Sequence, residues 1–124
     1  MSFQLLTLII CSVLLSSFAQ IVLKAGMSSP AIHAVMQSGS TLQVFGAIAV
    51  NIKVLLGLGL YFLSAAVWLL VLARVDVSLA YPFVGLGFVI TMLLAYFING
   101  EALTLAKVLG TLLIACGVVV IARG

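Results

Sequence analysis

The sequence predicts an all-α integral membrane protein with four transmembrane helices and a short interfacial helix in its first connection. Two observations carry this. Of 124 residues, 66% are hydrophobic and only 6% charged, with a mean hydropathy of +1.51; no soluble domain of this size hides so much apolar surface. The apolar residues also fall into four long runs, none with a carboxylate in its middle. A hydrocarbon core of about 30 Å needs roughly 20 helical residues, and each run is about that long.

The first span covers about 3–23. Its core, Leu5 to Leu15, followed by Ser17-Phe18-Ala19, imitates a signal peptide with a cleavage site. Met1 to Gln4 lack the basic start of such a peptide, so the segment reads as a retained membrane helix. Next, Ser29-Pro30 has the form of a helix start, serine as N-cap and proline at the first helical position. Ile32, Val35 and Met36 would share a face and Gly39 would stop the helix. One or two short helices lying in the interface are expected there. Leu42 to Leu72 is too long for one upright span, and Asn51 with Lys53 interrupts it. The second span covers about 54–73, the third 77–98 and the fourth 103–122. Arg74-Val75-Asp76 and Asn99-Gly100-Glu101-Ala102 are tight connections, which imply antiparallel neighbours. One four-helix domain over 1–124 is the expected organisation.

The charge of +3 rests on five scattered basic residues. None forms the cluster that phosphate neutralisation by a nucleic-acid binder requires. Odd-numbered connections would carry Lys24, Lys53 and Lys107. The other side would carry Arg74, Arg123 and the N-terminal amine. That near balance leaves orientation open under the positive-inside rule. Cys11 and Cys116 lie inside apolar runs and read as small buried hydrophobes. His33 has no companion ligands nearby, and neither metal nor other cofactor is expected. No arrangement of acids, nucleophiles or phosphate-cradling glycines points to an enzyme.

The first span carries a polar ladder, Ser12, Ser16, Gln20 and Lys24, spaced four apart on one drifting helix face. Serines can satisfy themselves on their own backbone, but Gln20 has more hydrogen-bonding sites than that allows. The ladder therefore lines a polar cavity or binds helix to helix. Lys24 either snorkels or holds an anionic headgroup. In the third span Pro82 lacks an N–H and disfavours a helical Tyr81, so the helix starts late or kinks there. Gly85 and Gly87 add a second soft point, and the segment is a candidate gate. Tyr81 contacts substrate or sits with Tyr61 and Trp68 in the aromatic belt. Asp76 and Glu101, the only acids, suit helix N-termini, and Glu101 could instead pair with Lys24 or Lys107. Ala106, Gly110 and Gly117 make a smooth stripe on the fourth span. It would pack against a second subunit or against the chain's own third helix.

Several short motifs in order carry a family resemblance. They are Ala19-Gln20-Ile21-Val22-Leu23-Lys24, Trp68-Leu69-Leu70-Val71-Leu72, Ser78-Leu79-Ala80-Tyr81-Pro82, Asn99-Gly100-Glu101 and the Gly110 to Gly117 segment. Together they resemble the EamA-like four-helix branch of the drug/metabolite transporter superfamily, over nearly the whole chain except the 27–51 connection. The resemblance implies a bundle like that of small multidrug resistance transporters. Those proteins carry an essential first-span glutamate, where this chain has Ser16, and a tryptophan where it has Val84. A proton-coupled exporter of cations needs that acid. The Gln20 and Lys24 pair, the Trp68 run and Ala80-Tyr81-Pro82 are more similar to aminoarabinose-phosphoundecaprenol flippase subunits. That resemblance implies lipid transport for lipid A and lipopolysaccharide modification in a bacterial inner membrane. The implied substrate is a polyprenyl-phosphate-linked sugar, and the implied assembly a homodimer or heterodimer of four-helix subunits. Two alternatives remain: an exporter of cationic or guanidinium solutes, and a non-transporting subunit that docks a glycosyltransferase.

Overall fold

A computed structural model describes residues 2–124. Seven α-helices follow one another: α1 Phe3–Met27, α2 Pro30–Ser38, α3 Thr41–Ala49, α4 Ile52–Leu72, α5 Val77–Ala80, α6 Val84–Asn99 and α7 Leu105–Arg123. A 3₁₀ turn, Tyr81–Phe83, welds α5 to α6. Four helical segments are long and apolar enough to cross a membrane: α1, α4, the α5–α6 unit Val77–Asn99, and α7. The chain is a multi-pass membrane protein. Its exposed Phe62, Phe97 and Leu113 face what would be lipid.

Caps set the boundaries. Ser2, Ser29, Ser40, Asn51 and Thr104 each accept a backbone N–H with their side chains at the starts of α1, α2, α3, α4 and α7. Ser40 and Gln43 form a reciprocal capping box. Thr104 delays the last helix to Leu105, two residues later than the hydropathy suggests. The first connection holds two short helices, and Ile32 of α2 is buried. Met36, expected beside it, is 58% exposed. At the end of α6, Gly100 is left-handed with φ 69°, where a side chain would be strained. The turn lets the Glu101 N–H reach the Ala95 carbonyl at 3.1 Å.

The spans alternate in direction. Within the bundle α1 packs against α4 on one side and α6 on the other, and α6 packs against α7. Ser12 and Ser64 clasp α1 to α4. Each hydroxyl donates to the other residue's carbonyl, at 2.9 and 2.8 Å. Ser17 donates to the Gly87 carbonyl at 3.3 Å, tying α1 to α6. Leu5, Ile9, Val13, Val71, Ala80, Phe83 and Val118 form one buried cluster. These residues come from the start of α1, the end of α4, the start of the third span and the end of α7, so this end of the bundle is closed. The opposite end, marked by Met27, Ile52, Asn99 and Leu105, is held chiefly by Asn51. Its Nδ2 donates to the Gly26 carbonyl and to Ser29 Oγ, both at 3.3 Å.

Several expectations need correction. Tyr81 stays right-handed helical at φ −62°, ψ −39°, despite Pro82. The chain rewinds to 3₁₀ instead, so the Val84 N–H reaches the Tyr81 carbonyl and the proline's missing donor is accommodated. Gly85 and Gly87 are close-approach points. A Cβ on Gly85 would lie 2.7 Å from Ile114 Cγ2, and one on Gly87 3.4 Å from Val13 Cγ1. Cys11 and Cys116 are both exposed thiols rather than buried ones. Asp76 occupies the N-cap of α5 without a side-chain cap bond, and Glu101 precedes the first turn of α7 altogether. The N-terminal amine, counted in the orientation argument, belongs to Met1 and lies outside the described residues.

Candidate functional site

Two cavities lie between the helices and meet near mid-span. The larger, about 480 Å³, lies between α1, α4, α6 and α7. Ser16, Gln20 and Tyr61 line it deep in the bundle, and Glu101 and Lys107 at the end opposite the apolar cluster. The smaller, about 240 Å³, is lined by Ser12, Ser64, Trp68 and Tyr81. Ser16, Tyr61 and Val84 border both. A bulky residue at 84 would narrow this shared neck; valine leaves it room.

The polar ladder therefore divides by depth. Ser12 is 3% exposed and its hydroxyl is engaged by Ser64, so it binds helix to helix while edging the smaller cavity. Ser16 donates to its own helix at the Val13 carbonyl, 2.9 Å away, which leaves its oxygen free to accept from a ligand. Gln20 is exposed along the larger cavity and offers both a donor and an acceptor. Lys24 is exposed in the last turn of α1 and borders neither cavity. From Phe3 to Lys24 the helix rises about 33 Å, which brings the ammonium to headgroup depth.

The cation beside the larger cavity is Lys107. Its Nζ donates to the Ala102 carbonyl at 2.9 Å, a neutral acceptor, so its charge remains available to an anion. Thr111, one turn on, donates to the Lys107 carbonyl and contacts Met92 Sδ at 3.3 Å. Glu101 is exposed in the α6–α7 connection. Its position three residues before the Thr104 N-cap turns it to the cavity instead of the helix terminus. Among the described residues no group of three His, Cys, Asp or Glu could hold a metal ion.

Tyr81 borders the smaller cavity and is 63% exposed, while Pro82 sits in the turn behind it. Tyr61 and Trp68 both line cavities, so they do not act merely as belt residues. Ala106, Gly110 and Gly117 are absent from both linings. Nothing lies within 4 Å of a Cβ built on Gly110 or Gly117, so these glycines do not pack against the third span.

Sequence reasoning missed Tyr61, Ser64 and the role of Lys107. A phenol in the middle of the second span was one available signal. A lone serine at the depth of Ser12 was another. Lys107 could have been paired with Glu101 by their common edge.

Comparison with known proteins gives partial matches of one kind. The chain is 44% identical over 68 residues to a probable 4-amino-4-deoxy-L-arabinose-phosphoundecaprenol flippase subunit ArnE of Pseudomonas paraeruginosa, covering 55% of each chain. A subunit of the same description from Pseudomonas aeruginosa is 45% identical over 69 residues, covering 56% of this chain and 57% of the relative. One from Pseudomonas fluorescens is 41% identical over 68 residues. The chain thus spans a little over half the length of the curated relatives it matches. No family model matches, and no solved structure matches.

Proposed function

We propose that this chain is a subunit of a transporter that moves a polyprenyl-phosphate-linked sugar, or a related anionic lipid, between the leaflets of a bacterial inner membrane. The observation that carries the reading is the 480 Å³ cavity, which joins Ser16 and Gln20 to Lys107. A hydroxyl, an amide and a cation suit a sugar phosphate, and the apolar outer faces leave a polyprenyl tail in lipid. Phosphate prefers a positive partner with donors in a low-dielectric setting. Lys107 takes that role, and Gln20 and Ser16 contact the sugar. Tyr61 and Val84 border the passage to the second cavity, where Tyr81 and Pro82 form the gate. The relatives' printed names point to the same substrate class.

A second subunit completes the assembly through α7. Only 6% of its most apolar stretch is buried, against 39% for α1, and Gly110 and Gly117 present an open, smooth surface to a partner helix. The partner is another copy or a similar four-helix subunit.

The exporter of cationic solutes keeps one supporting observation, Glu101 beside the cavity. Yet the mid-span position where such an exporter needs its acid is Ser16. The glycosyltransferase-docking alternative required a bundle without a polar cavity, and this bundle has one.

The test is binding of a short-chain polyprenyl phosphosugar to the chain in lipid nanodiscs. Lys107→Gln and Gln20→Ala should each weaken binding by about tenfold, the scale of one lost hydrogen bond to a charged or polar head. Lys24→Ala should leave it unchanged. Binding indifferent to both cavity substitutions would end the proposal.

A further inference from the structure

The larger cavity holds both charges of opposite sign that the open end can offer, and the acid needs an explanation. A site built only for a phosphate gains nothing from Glu101, because a carboxylate beside an anion repels it, and more so where water is scarce. A Glu101–Lys107 pair closed on itself would remove that objection, but the Lys107 ammonium donates to the Ala102 carbonyl instead. Glu101 is also not used as a helix cap, since Thr104 caps α7. Its backbone is placed by the left-handed Gly100 and by the N–H bond to Ala95, so its position at the cavity is part of the fold.

We propose that Glu101 and Lys107 make the cavity selective for a zwitterionic head, Glu101 taking an ammonium on the sugar and Lys107 its phosphate. The proposal rests on the transport reading above and adds to it a determinant of selectivity. Glu101 acts on which sugar enters, while Lys107 acts on any polyprenyl phosphate. The deeper groups, Ser16, Gln20 and Tyr61, are neutral hydrogen-bonding groups and cannot distinguish an ammonium from a hydroxyl by charge.

Three short-chain polyprenyl phosphosugars test this on the full chain in nanodiscs: one with a free sugar amine, one with that amine N-formylated, and one with a hydroxyl in its place. The unaltered chain should bind the free amine about tenfold or more tightly than either neutral probe, the scale of a charge-assisted contact. Glu101→Gln should reduce that preference to about twofold by weakening only the amine probe, and Glu101→Asp should retain part of it. Lys107→Gln should weaken all three. Equal binding of the three probes by the unaltered chain would overturn the selectivity and leave the transport reading standing. So would a preference that survives Glu101→Gln. Failure to bind any of them would overturn both.

Discussion

The α1–α4 pair and α7 are equally apolar by sequence, with hydropathies of 2.3, 2.3 and 2.4 over their best windows, yet they are used in opposite ways. α1 and α4 close on each other through small residues and hydrogen bonds. A Cβ on Gly26 would lie 2.7 Å from Val54 Cγ2 and 2.8 Å from the Val54 nitrogen, and one on Gly57 2.7 Å from Leu23 Cγ. The serine clasp crosses the same interface. On α7, by contrast, Gly110 and Gly117 meet nothing, and Val118 is its only buried residue. Glycine on an apolar helix thus marks a close approach in both places, but only one approach is satisfied within the chain. In lipid, burial of apolar surface does not discriminate between these outcomes, since acyl chains solvate leucine as well as another helix does. Close packing and polar contacts decide.

The largest expected effect comes from breaking the closed side. Gly26→Val should destabilise the bundle by about 2–3 kcal/mol, because the backbone nitrogen of Val54 cannot move aside as a flexible side chain would. Unfolding in mixed detergent measures this, and a near-neutral result would mean that α1 and α4 are not held as described. Ser64→Ala should cost about 1 kcal/mol, typical of a hydrogen bond between membrane helices. Ser12→Ala combined with it should cost less than the sum of the two single changes, because the clasp is reciprocal; a double-mutant cycle in the same assay reads the coupling. Gly117→Leu should change the stability of the isolated subunit least, by under about 0.5 kcal/mol, yet abolish its assembly. Native mass spectrometry from mild detergent would show both, and an assembly that survives the leucine would remove α7 as the contact.

The fold was largely legible. Run length placed the four spans, and Ser29-Pro30, Asn51 and Gly100 marked turns for local reasons of capping and backbone freedom. The site was legible only in part. The four-residue spacing of Ser12, Ser16, Gln20 and Lys24 shows that they share a helix face, but not what that face meets. The structure sends Ser12 to Ser64, Ser16 and Gln20 to a cavity, and Lys24 to the membrane edge. Glu101 looked like a helix-terminal charge, and became a cavity residue because Thr104, not Glu101, starts α7.

By itself the sequence determined the environment and the connectivity. Both follow from local physics: the cost of polar groups in hydrocarbon, the rise per residue of a helix and the chemistry of its caps. Only the tertiary structure decided which polar groups face one another and which face open space. That depends on how each helix is rotated about its axis, and rotation is set by small-residue contacts such as Gly26 with Val54 and Gly85 with Ile114. Those contacts lie far apart along the chain, and helical periodicity alone cannot pair them.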